Sequence, residues 1–143
     1  MNIRSSIPIL GLTFAMACGG GGGGSSSGGG YTPPAGPPAN TVWIGGAGAY
    51  GTGNTTFNPT TLTVTAGTTV SFVWKGGTHT LTSYAYNGSP TFPGVPDPGQ
   101  STGTYTYQFN TAGTYYYYCQ YHGFLAAGGT SIATGMAGKV VVN

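Results

Sequence analysis

Charge is almost missing from this 143-residue sequence. Arg4, Lys75, Asp97 and Lys139 carry all of it. There is no Glu and Asp97 is the sole acid, so no pair of carboxylates exists for glycosidase-type or aspartic-protease-type chemistry. No cluster of Lys and Arg exists either, which excludes the phosphate-tracking surface of a nucleic-acid binder. Disorder of the whole chain through charge repulsion is excluded on the same ground. Solubility must rest on Thr, Ser and Asn side chains, Tyr hydroxyls and exposed backbone. The length allows one domain and little more.

Residues 1–17 read as a signal peptide. Arg4 precedes an apolar stretch from Ile7 to Ala17 that is too short to span a bilayer. It ends Ala15-Met16-Ala17-Cys18, which resembles a bacterial lipoprotein signal with Cys18 as the lipidated first mature residue. The duller reading is an ordinary secretory signal and an incidental cysteine. A cysteine beside a polyglycine tract has no packing role, which favours lipidation. Residues 18–40 form a linker: Gly and Ser from Gly19 to Gly30 give a flexible tether, and Pro33 to Pro38 a stiffer piece. The expected setting is the cell envelope. The protein would be exported and lipid-anchored at a membrane surface, on the periplasmic side or the cell exterior.

Residues 41–143 show no 3.6-residue apolar period and several alternations of period two, so the domain is expected to be all-β. Expected strands are Thr41 to Ile44, Thr61 to Val64, Val70 to Trp74, His79 to Thr82, Thr104 to Phe109, Thr114 to Cys119 and Lys139 to Val142. Ser83 to Gln100 holds Pro90, Pro93, Pro96 and Pro98 and reads as loop. Short strands at this spacing indicate a sandwich of two sheets.

Beyond residue 30 the chain has one Cys, two His and one Met: Cys119, His79, His122 and Met136. A blue copper site uses one thiolate, two imidazoles and often a weak axial thioether, and the domain holds that set with no spare member. Cys119 ends a strand and His122 follows after two residues, so a turn there lets both face one ion. His79 starts another strand forty positions earlier, and Met136 sits just before the last one. In a sandwich such strand ends meet at one pole. Each residue has a plainer reading: a small buried hydrophobe, a satisfied histidine, a core filler. Jointly those readings are poor. Structural zinc would take a fourth strong ligand, and none is evident. A Cys-His protease needs an activated thiolate on an open cleft, which a Tyr-rich buried strand suits badly.

Phe57-Asn58-Pro59, Leu62 to Gly67, Val70 to Trp74, Asn110 to Gly123 with its Cys-x-x-His, and Gly135-Met136-Ala137-Gly138-Lys139-Val140 together resemble the cupredoxins, plastocyanin-like ones above all. The resemblance implies a Greek-key β-sandwich and one-electron transfer by a single copper ion. It makes His79, Cys119 and His122 the equatorial ligands and Met136 the axial one. Two departures stand out. Thirteen residues, Gly123 to Gly135, separate His122 from Met136, far more than in plastocyanins, and are expected to bulge while Met136 keeps its place. Thr80 follows His79 where plastocyanins usually carry Asn, and its hydroxyl is expected to tie the two ligand loops together.

The expected function is therefore electron transfer rather than enzymatic turnover, by a monomer that meets a redox protein donor and acceptor in the envelope. The edge of His122 would be the electron port, rimmed by Phe124, Leu125, Ala126 and Ala127. Tyr118 points opposite to Cys119 and is either a second contact or packed under a loop. The acidic docking patch of plant plastocyanins cannot exist here. Rival functions are copper binding, storage or delivery in the periplasm, and a structural or adhesion sandwich that has lost copper.

Overall fold

A computed structural model of the chain describes residues 35–46 and 54–143. The signal segment, Cys18 and most of the linker lie outside the described residues. The described part is built from strands: β1 (Thr41–Ile44), β2 (Phe57–Asn58), β3 (Thr61–Val64), β4 (Thr68–Trp74), β5 (His79–Tyr84), β6 (Val95–Gln100), β7 (Gly103–Phe109), β8 (Gly113–Phe124) and β9 (Thr134–Val142). They form two sheets, in the orders β2-β1-β4-β7 and β3-β9-β8-β5-β6. Both sheets are mixed: β1 runs parallel to β4 and β3 parallel to β9, while the other pairs are antiparallel.

The alternation that marks the strands also sorts their side chains. On β4, Val70, Phe72 and Trp74 are buried while Thr69 is exposed. On β8, Tyr115, Tyr117 and Cys119 are buried, and Tyr116 and Tyr118 face the other way, half-buried. On β9 the inward phase is Met136, Gly138, Val140 and Val142. Gly138 belongs to this phase for want of room. A Cβ there would stand 2.7 Å from the ring of Tyr117. Phe57, Phe72 and Phe92 surround that same ring with edge-to-face contacts.

The segment expected to be loop from Ser83 to Gln100 does more than connect. β5 continues through Tyr84, and β6 forms within the proline-rich stretch. β6 tolerates Pro96 and Pro98 because it is the outer strand of its sheet and owes no ladder on its far side. Between these strands Phe92 turns inward, 6% exposed, and stacks on Phe72. Burying such a ring contributes about 2 kcal/mol.

The strand carrying Cys119 does not end there, and Met136 lies inside the last strand rather than before it. β8 pairs with β9 at Tyr118↔Ala137 and again at Gly123↔Gly135. β8 thus spends five steps where β9 spends two, so Cys119 to His122 form a bulge. Gly135, with φ of +73°, takes the left-handed backbone needed opposite the bulge, and a Cβ on it would strike the His122 carbonyl at 2.6 Å. Phe124↔Thr134 then continues the ladder, so the long insert extends the β8–β9 hairpin and leaves Met136 within β9, between the paired Gly135 and Ala137. The insert is pinned near its end, where the Ala133 N–H donates to the Tyr84 hydroxyl at 2.8 Å.

Candidate metal centre

His79 opens β5 and is 1% exposed. Its Nε2 lies 3.1 Å from the Gly76 carbonyl. A carbonyl only accepts, so Nε2 carries the hydrogen and Nδ1 the lone pair. The Trp74 indole N–H donates to the His79 carbonyl at 3.0 Å and fixes the backbone. Glycines wall the ring: a Cβ on Gly45 would stand 2.6 Å from Nε2, and one on Gly77 2.7 Å. Burial pushes the imidazole below its ordinary pKa, and His122 pushes the same way. The carbonyls of Gly76 and Asn54 pull it back up.

Cys119, fully buried, and His122, exposed, come from the β8 bulge. The bulge is tied to β5 by Thr80. Its buried hydroxyl accepts the Gln120 N–H at 2.8 Å, as expected for a residue joining the two ligand segments. Thr82 donates to the same oxygen at 3.1 Å.

The three donor atoms converge. Cys119 Sγ lies 3.7 Å from His79 Nδ1 and 3.5 Å from His122 Nδ1, and the two nitrogens are 3.1 Å apart. Because His79 Nδ1 is a lone pair, His122 Nδ1 can face it only with a proton or a cation between them. Among the described residues these three form the one cluster of at least three His, Cys, Asp or Glu donors.

No protein-family profile and no curated protein sequence matches the chain. Solved structures do. A purple cupredoxin from Nitrosopumilus maritimus superposes with a TM-score of 0.51 at 24% identity, over 74% of this chain and 100% of that one. Plastocyanin from Dryopteris crassirhizoma, in its oxidised form, gives 0.51 at 22% identity, over 72% of this chain and 99% of that one. The chain has the cupredoxin fold. At these identities the likeness establishes the fold, and the site stands on its own atoms.

On this fold the donor triangle passes a test of fit. The point equidistant from the three atoms lies about 2.0 Å from each, the length of a metal–nitrogen bond and a little under a metal–sulfur bond. One thiolate and two imidazoles in a trigonal array fit a type 1 copper site. Asp97 stands outside this cluster, and its carboxylate accepts the Tyr121 hydroxyl.

The other expected residues are spread around this cluster. Met136 is 1% exposed, in the same core cluster as Cys119. Its backbone lies under the bulge: a Cβ on Gly123 would meet the carbonyls of both Met136, at 2.8 Å, and Cys119, at 3.0 Å. Phe124 is 69% exposed and Leu125 half-buried. Tyr118 is half-buried on the outer face, edge-on to Tyr84. The sequence reading missed the Trp74 bond, the glycine walls and the Asp97–Tyr121 pair. Only the walls left a signal, in Gly45-Gly46 just after β1 and Gly76-Gly77 just before His79.

Proposed function

We propose that this chain binds one copper ion through His79, Cys119 and His122, with Met136 as a fourth, weaker ligand, and passes single electrons between redox proteins of the cell envelope. The observation that carries the reading is the convergence of two imidazole nitrogens and one cysteine sulfur on a single point, all within 3.7 Å of one another. Copper held there supplies one-electron chemistry by alternating between Cu(I) and Cu(II). The protein's part is to hold the donors still. The Gly76 carbonyl and the glycine walls fix the His79 ring, and Thr80 fixes the bulge. Donors that do not rearrange suit an ion that changes charge and must lose little energy in doing so. Met136 would be the fourth residue to hold the ion, because it is buried in the same core cluster as Cys119 and its backbone meets the bulge.

His122 is the one exposed donor and is assigned the electron port. Beside it stand Tyr121, 46% exposed, and Phe124, an uncharged rim suited to brief encounters. With so few charges, steering is weak and association depends little on salt. A lipid on Cys18 would hold the domain at a membrane surface, and the Gly/Ser/Pro linker would let it reach partners as a monomer.

Copper storage or delivery is the second reading, favoured by the exposure of His122, which gives a competing chelator one ligand to displace. The two readings separate on kinetics. A carrier exchanges electrons between its oxidised and reduced forms rapidly, as line broadening in mixed samples would reveal, and loses copper slowly to a weak chelator. Slow self-exchange together with ready loss of copper would decide for storage or delivery.

A further inference from the structure

Asp97 is the sole carboxylate side chain of the sequence, and it is engaged with the segment between two metal donors. The Tyr121 hydroxyl donates to Asp97 Oδ1. Tyr121 stands between Cys119 and His122, and its ring meets the His122 ring edge-on at 6.3 Å between centroids. A phenol bonded to a carboxylate is charge-assisted and stronger than a neutral pair.

The position of this bond matters because the sheet does not hold His122. The ladder between β8 and β9 is interrupted from Tyr118 to Gly123, so the bulge must be fixed from elsewhere. Thr80 on β5 fixes its Cys119 end through Gln120. Asp97 on β6 grips its His122 end through Tyr121. The same edge strand abuts the other arm of the site. Gln100 pairs with His79, and a Cβ on Gly99 would come within 2.5 Å of the His79 carbonyl. One short strand therefore touches both histidine segments.

The geometry points to Asp97 and Tyr121 as positioning residues of the metal centre. They form a clasp from β6 that aligns His122 with His79 and Cys119 before an ion arrives, and they place a negative charge beside the site. The inference rests on the copper reading for its role, but the clasp itself is testable without metal. Three variants divide its parts. Tyr121→Phe removes the hydrogen bond and keeps the charge. Asp97→Asn removes the charge and keeps an acceptor. Asp97→Ala removes both.

The first readout is alkylation of Cys119 in the metal-free full-length protein, followed on the Cys119 peptide by mass spectrometry so that Cys18 is not counted. Tyr121→Phe and Asp97→Ala should label several-fold faster than the parent, and Asp97→Asn less so. The double variant Tyr121→Phe/Asp97→Ala should label no faster than either single one. Equal rates in Tyr121→Phe and the parent would overturn the clasp, as would rates that multiply in the double variant. The second readout is the reduction potential of the copper-loaded protein. Loss of a negative charge favours the reduced ion, so Asp97→Asn should raise the potential; an unchanged or lowered potential would remove the charge from the inference. A parent that binds no copper would defeat the copper reading, while the alkylation rates would still decide the clasp.

Discussion

His79 and His122 offer the same ring nitrogen to the same point from opposite surroundings. His79 is enclosed: its far nitrogen is bonded to a carbonyl, its backbone is held by an indole, and glycines press on its ring. His122 stands at the surface on a bulge, held at its outer end by a tyrosine and the only acid in the chain. The contrast divides the labour of the site. The enclosed half sets the position of the donors in the fold, and the exposed half gives access to them. An electron carrier needs both, because an ion that is rigidly held still has to be approached.

The largest expected effect tests that division directly. His79→Gly and His122→Gly should each lower copper affinity by more than about a hundredfold, beyond what is lost on removing a merely supporting contact. They should differ in repair. Added imidazole can reach the surface gap of His122→Gly and restore the thiolate-to-copper band. It cannot enter the enclosed gap of His79→Gly. Rescue of both variants, or of neither, read by absorption, would mean that the two histidines do not differ in access.

Next comes the link between the halves. Thr80→Val removes the acceptor of the Gln120 N–H and leaves that group without its partner, at a cost of about 1–3 kcal/mol. Denaturant unfolding should show the loss, and Thr80→Ser should recover most of it. An unchanged midpoint would mean that the bulge does not depend on β5.

A smaller effect follows from the enclosure of His79. Its folded pKa is depressed below 6.5, so the unfolded chain binds the proton more readily than the folded one. The stability this contributes is fully present above the ordinary value and is lost as pH falls below it toward the folded pKa. The thermal midpoint of the metal-free protein should therefore drop between roughly pH 8 and pH 5. A midpoint that is flat or rises toward acid would contradict the enclosure.

The smallest effect lies in the core and serves as a control. The Tyr117 hydroxyl is buried without a hydrogen-bond partner among the described residues. Tyr117→Phe should leave stability unchanged or raise it by about 1 kcal/mol, with the copper spectrum unaltered. A marked loss of stability would mean that the hydroxyl has a partner, such as a buried water.

Which parts of this were legible in the sequence follows from where the information lies. The strands β4, β7 and β8 were legible because their alternation is local and their inward residues are large. The three converging donors were legible because Cys and His are so scarce that few assignments exist. Thr80 was legible through its place next to His79. β6 was not, because Pro96 and Pro98 speak against a strand, and only its edge position makes them harmless. The bulge was not, because its size is set by how β8 registers against β9, not by the residues within it. Asp97 and Tyr121 are 24 positions apart, and no local pattern joins them.

Two histidines, one enclosed and one exposed, and one cysteine are proposed to hold a single copper ion. Titration of the purified protein with Cu(II), followed by absorption, tests it most directly. An intense thiolate-to-copper band should appear, saturate at one equivalent and be abolished by Cys119→Ser. A colourless protein, or a band that survives Cys119→Ser, would contradict it.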